Sequence, residues 1–360
     1  LAARHEVALL SFAEFGAELN GRVAHLKTEC KKVEVVPFNY RFAGLKEIGA
    51  LFSHDSLNVR AFSSKRFLNT FRLLVQDFGP DYILTDSSMM AFYPLQLKLP
   101  FIADFMDVDS EKWAEFGNHS KWPLSWIYRV EAKRLAQFEK EAATQAEAVL
   151  VVSEAEKAKL NSFAPQARIN VIPNGVDRDY FKPLGRIPIP GRIVFTGVMD
   201  YPPNVDAVQW FCHAIWPLIR SHVPHATFSI VGANPSLRLR ALGRFPGVHV
   251  TGTVPDVRPY IDEAEICVAP LRFSIGLQNK VLEALAMGKG VVATLEAVQG
   301  LARGVEKVVK IEDNSGNFAN SVAQLITDPN KRKEYEVAGP AFVAKRHDWD
   351  QNLKVLQGYL

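Results

Sequence analysis

At 360 residues, 48% of them hydrophobic and 22% charged, the chain is long enough for two cores and is neither disordered nor collagen-like in composition. Lys and Arg outnumber Asp and Glu by only 42 to 39, too small a surplus for a dedicated nucleic-acid binder. Three separated cysteines, Cys30, Cys212 and Cys267, build neither a disulfide framework nor a zinc site and fit a cytosolic protein.

Short apolar runs alternate with segments of helical period along the chain. In the first half the pattern predicts strands at 6–12, 33–38, 82–85, 101–104, 148–152 and 170–172. Helices are predicted at 59–78, 123–144 and 154–163, the last opened by Ser153 and Glu156 at capping-box spacing. A Pro/Gly-rich stretch at 182–191 interrupts the pattern and separates two domains, 1–180 and 190–345. Beyond it, strands are predicted at 192–196, 227–231, 248–251, 266–269 and 291–293. The tail is helical from about Asn314, with a final helix over 348–360. Continuous apolar strands alternating with helices predict parallel sheets covered on both faces by right-handed crossovers. No apolar run reaches the length of a membrane span.

The sequence contains no GxGxxG after a strand, no GxxxxGK[ST], no HExxH and no GxSxG. Common dinucleotide oxidoreductases, P-loop NTPases, zincins and α/β-hydrolases therefore lose support. In open α/β sheets ligands sit beyond the carboxyl ends of the strands, so the strand-to-helix turns carry the chemistry. The richest turn runs from Arg272 through Gly276 into a helix starting near residues 277–279. It aims free backbone N–H groups and the positive end of a helix at its ligand, a ready diphosphate site. Lys280 and Glu283 are spaced i,i+3 on one face, a cation for phosphate and a carboxylate for sugar hydroxyls. A solvated Lys–Glu pair worth a few tenths of a kcal/mol has the same spacing.

The run Gly276, Asn279-Lys280, Glu283-Ala284, Gly288 and Val291–Thr294 resembles the donor-site signature of glycosyltransferase family 4. Blocks at 152–156, 171–177, 195–206, 231–235, 252–257 and 268–271 agree with that family in order. The segment Asp107–Trp113 is similar to a subgroup associated with exosortase/PEP-CTERM systems and exopolysaccharide loci. The resemblance implies an α/β protein of GT-B fold: two Rossmann-like, doubly wound parallel-sheet domains facing a cleft, with the final helix packing back on the first. It implies a retaining, hexosyl-type transferase with a nucleotide-sugar donor, a lipid-linked or oligosaccharide acceptor, no metal or other cofactor, and a cytoplasmic location. Glu283 would bind the ribose, Lys280 and the Gly276 loop the diphosphate, and Gly232 and Val254 the base region. Gly197, Arg272 and Asn279 complete the implied donor-binding set, and Asp107, Lys280 and Glu283 the catalytic one.

The chain departs from the family pattern in places. The first of two common glutamates is replaced by Ile275. The usual Arg and Lys after the second domain's first strand give way to Met199 and Asn204, leaving Arg272 and Lys280, then Arg258, as phosphate cations. Met106-Asp107 stands where relatives show His-Asp. Asp107-Val108-Asp109 also spells a metal-binding Asp-x-Asp, but aspartates at such a turn are expected to cap the helix or bond locally, and Asp256 is expected to be a helix N-cap. His213, His222 and His225 are expected on the surface.

Arg60, Lys65, Arg66 and Arg72 interleave with Phe62, Phe67 and Phe71, and Trp122 and Trp126 follow Lys121. This pattern suits a face lying on an anionic inner membrane, and equally a core stripe with a solvated basic back. The chain enters the family pattern one strand late at Leu1, so its first domain is expected to lack an opening strand and leave an unpaired edge in mid-sheet. The rival reading is an inactive or truncated GT-B scaffold that binds nucleotide or a partner without transfer. A non-hydrolysing epimerase shares the fold, with no residue specifying it.

Overall fold

A computed structural model describes residues 1–2, 4–14, 19–38, 55–274 and 276–359. They form two compact units, Leu1–Val151 with Glu156–Asn170, and Val152–Ala155 with Val171–Leu360.

In the first unit β1 (Ala8–Ala13) and β2 (Lys32–Pro37) pair in parallel. A second sheet runs in chain order through β3 (Leu84–Asp86), β4 (Ile102–Met106), β5 (Ala148–Val151) and β6 (Ile169–Val171). Among the described residues no pairing joins β1 to β3. The helix expected at 59–78 is broken at Ser63-Ser64 into Leu57–Phe62 and Lys65–Phe78. Ser56 and Ser64 cap the two pieces, accepting from the Val59 and Phe67 amides. Serine competes for backbone donors in this way and stops one helix as it starts the next.

The phenylalanines of these helices face inward. Phe67 packs with Val36 and Tyr93, and Phe62 stacks on Phe38 at 4.9 Å between ring centres. Arg60, Lys65, Arg66 and Arg72 face outward. Aromatic and basic groups therefore do not share a face here, and the core-stripe reading describes this segment.

Two buried glutamates on the helix Leu124–Gln145 tie the unit together. Glu131 accepts from Ser56 Oγ at 2.6 Å, the Leu57 amide at 2.8 Å and the Asn58 amide at 3.0 Å, supplying the start of the helix Leu57–Phe62 from a distance. Glu139 does the same for the helix Asp109–His119, accepting from the Ser110 amide at 3.2 Å and meeting the Ser110 hydroxyl.

The second unit has a single six-stranded parallel sheet. Its strands are β7 (Arg192–Thr196), β8 (Thr227–Val231), β9 (Val248–Gly252), β10 (Ile266–Ala269), β11 (Gly290–Ala293) and β12 (Lys310–Ile311). Their order is β12-β11-β10-β7-β8-β9. The chain begins at the centre, winds to one edge, and returns to wind to the other. The reversal falls between β7 and β10, which are paired directly. Burial on both faces explains why β10 and β11 read as unbroken apolar runs; β9 carries the exposed His249, and the two-residue β12 is too short to read at all.

The expected final helix is two single turns, Trp349–Asn352 and Lys354–Gln357, with Asp348 capping the first. They sit against residues 173–178. Buried His347 meets the Asn174 carbonyl through Nδ1 at 2.8 Å and accepts from the Ala302 amide at Nε2, 3.3 Å away. One nitrogen donates and the other accepts, so the ring is neutral, and burial pushes its pKa down. Trp349 covers Gly175 so closely that a Cβ there would lie 2.6 Å from the indole.

Burial raises the Glu139 pKa to about 8, against its two bonds from Ser110. A carboxyl with a raised folded pKa removes stability as pH climbs from its unfolded value, near 4.5, toward 8. Glu139→Gln keeps the shape and stays neutral. Its stability relative to wild type is expected to rise from pH 5 to pH 8 by on the order of 1 kcal/mol per pH unit, with a matching rise in relative melting temperature. Thermal denaturation across that range checks this; a deficit growing with pH would show that the ionised form is the favoured one.

Candidate functional site

Ligands of doubly wound sheets bind beyond the carboxyl ends of the strands where the winding reverses. In the second unit that place is fixed by the turns after β7 and β10. The β7 turn begins at Gly197, whose amide donates to the Val231 carbonyl at 3.1 Å, and the Met199 amide reaches Ala233 O at 2.7 Å. The turns after β7 and β8 are thereby zipped together. A Cβ on Gly232 would lie 1.7 Å from the Gly197 carbonyl oxygen, so only glycine permits the approach. Val254, after β9, packs on the core and leaves its backbone at the same edge of the sheet.

The loop after β10 is held from below. Thr294 Oγ1 donates to the Leu271 carbonyl at 2.5 Å, and Ser274 binds the Glu296 carboxylate and carbonyl at 3.0 and 2.8 Å. Gly276 takes a left-handed conformation, φ 66°, and Gly300 presses on the next residue, with room for a Cβ only 3.2 Å from Leu277 Cα. Ile275 lies outside the described residues. The helix Asn279–Ala286 then starts without a side-chain capping bond from Gln278; the Val281 amide is taken by the Gln278 carbonyl at 3.0 Å, and those of Asn279 and Lys280 are left to an outside acceptor.

Lys280 and Glu283 are half-buried in this helix. Lys280 crosses the switch point: its Nζ donates to Asn204 Oδ1 at 2.5 Å and lies 4.8 Å above the Phe195 ring of β7. Asn204 in turn donates through Nδ2 to the Val198 carbonyl at 2.9 Å. Burial pulls the Lys280 pKa down to about 8, partly offset by Glu283, while burial raises that of Glu283 against the pull of Lys280. The pair is thus no solvated surface pair. Exposed Asn279 receives a 3.4 Å bond from Asn174.

The other cations are engaged. Arg272 makes a two-pronged pair with Asp206, through Nε at 2.8 Å and through Nη2. Arg258 is held by Asp256 at 2.7 Å and stacks 3.7 Å above Tyr180. Asp256 also accepts from the Arg258 amide at 2.9 Å, and Arg258 holds its carboxyl below the usual range, but the N-cap of the helix Arg258–Asp262 is Val257 rather than the expected Asp256. His213, His222 and His225 are exposed, as expected.

In the first unit β4 ends in a register shift followed by Met106 at φ 57°, an uncommon conformation outside glycine. This turn carries Asp107 inward, where its Oδ1 is buried without a hydrogen-bond partner among the described residues. Burial, with Glu156 and Asp109 adding negative charge, raises its pKa to about 6. Asp109 turns to Ser88 Oγ at 3.2 Å. The aspartates do not cap the helix Asp109–His119, contrary to expectation. Glu156, accepting from the Val108 amide at 2.7 Å, and Glu139 take that role from other helices. Among the described residues no group of three His, Cys, Asp or Glu side chains is placed to hold a metal ion.

Glu296 and Gly300 escaped the sequence reading, and Asn204 was read only as the replacement of a usual cation, because each acts on a segment distant in the chain. Gly232→Ala is expected to disrupt the zipped turns and cost about 3 kcal/mol or more in denaturant unfolding. A cost under about 0.5 kcal/mol, the range of ordinary surface changes, would contradict the close approach.

Two family models match: Glycosyltransferase Family 4 over residues 1–180 and Glycosyl transferases group 1 over residues 190–328. No curated protein matches the chain in sequence. Among solved structures it is similar to Anabaena HepE in complex with UDP, with 13% identity over 98% of this chain and 99% of that one and a TM-score of 0.67. The sucrose-phosphate synthase of Thermosynechococcus elongatus gives 17% identity, 84% and 78% coverage and a TM-score of 0.67. WaaG, a glycosyltransferase involved in lipopolysaccharide biosynthesis, gives 14%, 96% and 98%, and 0.64. These likenesses establish the fold, two Rossmann-like domains of GT-B type. With one family model matching half the chain and a second matching most of the rest, the chain belongs to glycosyltransferase family 4.

Proposed function

We propose that the chain transfers a sugar from a nucleoside-diphosphate donor, with retention at the anomeric carbon, to a lipid-linked acceptor in exopolysaccharide assembly on the cytoplasmic face of a membrane. The observation that carries this reading is the switch-point arrangement. An uncapped helix start, a half-buried ammonium and a half-buried carboxylate lie within two turns of one helix.

In the transfer, the bond between the anomeric carbon and the diphosphate oxygen breaks, and the oxygen keeps the electron pair. The acceptor oxygen bonds the same carbon, on the face the diphosphate leaves, and passes its proton to the departing diphosphate oxygen. Lys280 and the first-turn amides face the charge growing on the diphosphate, electrostatic stabilisation that needs no metal. Glu283 accepts from ribose hydroxyls, and the backbone around Gly232 and Val254 meets the base. Asp107 is assigned to the acceptor or sugar hydroxyls, with its unpartnered Oδ1 as the accepting atom. Arg272 would join the site only by leaving Asp206.

UDP in the Anabaena HepE complexes, one of them with UDP-glucose, supports UDP-hexoses as the first donors to test. The Asp107–Trp113 segment supports the exosortase/PEP-CTERM-associated subgroup and, with it, the exopolysaccharide acceptor.

Melting temperature across UDP, GDP and ADP and their sugars should rise for the cognate nucleotide. Radiolabelled donor should then be hydrolysed or transferred. Glu283→Ala is expected to reduce turnover by about a hundredfold or more while leaving the ligand-free melting temperature unchanged. Binding without any turnover would favour an inactive scaffold; full activity in Glu283→Ala would remove this site assignment.

A further inference from the structure

The helices Asp109–His119 and Leu124–Gln145 form a hairpin in the first unit, and its tip is chemically unlike the rest of that unit. Trp122 is 82% exposed, Leu124 50% and Trp126 56%, and these two are the most exposed of the chain's tryptophans. Three large apolar groups gathered at one tip, unlike the singly exposed Ile187 and Leu237, mark a surface that meets something else.

The charges beside the tip are one-sided for a structural reason. Residues 121–140 include two acids, Glu131 and Glu139, and both are turned into the unit, 1% and 0% exposed. The basic residues Lys121, Arg129, Lys133 and Lys140 remain on the outside. Trp126, Arg129, Lys133 and Lys140 follow helical spacing on one face, so the tryptophan tip continues into a cationic stripe; the first exposed carboxylate of the helix is Glu141, beyond its far end. Glu115, on the preceding helix, pairs with His119 at 3.2 Å.

We infer that the hairpin tip Lys121–Trp126, with the stripe behind it, docks the protein on an anionic lipid bilayer. Tryptophan suits the headgroup level, where its ring is covered and its N–H stays wet. Lysine and arginine gather at the negative surface potential of anionic leaflets. A protein partner would need shape and polar complementarity that an apolar point flanked by flexible cations does not specify. No helix among the described residues is long and apolar enough to cross a membrane, so this contact would be peripheral. The helix Asp109–His119 runs from the Asp107 turn to the tip, about 16 Å at 1.5 Å per residue. A docked tip would thus hold Asp107 within reach of a headgroup-linked sugar. In this respect the inference deepens the lipid-linked reading of the acceptor.

The full chain is sedimented with vesicles of phosphatidylcholine alone or with phosphatidylglycerol, without donor or acceptor. Failure of transfer activity therefore leaves the result untouched. Binding is expected on the anionic vesicles, at least tenfold tighter than on the neutral ones and weakened by salt. The double variants Trp122→Ser/Trp126→Ser and Arg129→Gln/Lys133→Gln should each bind at least tenfold less, with unchanged melting temperatures because all four side chains are exposed. Absence of binding to the anionic vesicles, or binding of both variants at the wild-type level, would overturn the inference. So would a homodimer in solution that the tryptophan variant converts to monomer, since the tip would then belong to a second copy.

Discussion

One hydrogen bond spans the point where the second sheet reverses its winding: Lys280 Nζ to Asn204 Oδ1 at 2.5 Å. The sheet order forces the two residues together. β7 starts the unit at its centre and β10 returns beside it, so the turn after one strand and the helix after the other converge at one edge. Asn204 is itself fixed through the Val198 carbonyl, and its amide lies where a Cβ on Gly197 would come within 2.7 Å. The ammonium is therefore placed before any ligand arrives, and preorganisation of this kind avoids reorganisation at the moment of reaction. Glycines at 197 and 232, the threonine and glutamate under the β10 loop, and Gly300 all serve the same edge.

The first unit solves a different problem. Its helix starts are supplied by carboxylates carried on other helices, Glu131 for Leu57–Phe62 and Glu139 with Glu156 for Asp109–His119. This leaves Asp107 without a capping duty and with a buried, unpartnered oxygen. It also turns both acids between 121 and 140 inward, so the exposed side of that helix is left cationic as far as Lys140, where exposed Glu141 follows. One packing arrangement thus shapes both the acidic turn and the basic face.

Most strands of the second unit were legible because burial writes them as short, largely apolar runs, and β7, β8 and β10 coincide with the predicted limits. The helix at 154–163 was legible from its periodicity and its serine start. The break at Ser63-Ser64 was not, because the apolar period continues across it and only the caps reveal the stop. Lys280 and Glu283 were visible as a pair, but spacing alone could not separate a solvated pair from a half-buried one; that difference comes from Phe195 and Asn204, some 80 residues away in the chain. Arg272 and Arg258 looked available as cations until Asp206 and Asp256 were placed beside them. Glu139 and Glu156 were unreadable as distant caps, since nothing local distinguishes them from surface glutamates.

The central claim is that Lys280, held by Asn204 and drawn down by burial to a pKa of about 8, is the cation that receives the donor's diphosphate. Calorimetric titration of UDP from pH 6.5 to 9.5 tests it most directly. An ammonium is needed to bind phosphate, so affinity should stay level below pH 8 and fall by up to about tenfold per unit above it. In Asn204→Asp a carboxylate would face the amine, and the fall should move to higher pH. In Lys280→Met it should vanish, with affinity low throughout. An unchanged alkaline fall in Lys280→Met, or full affinity without the ammonium, would contradict the account.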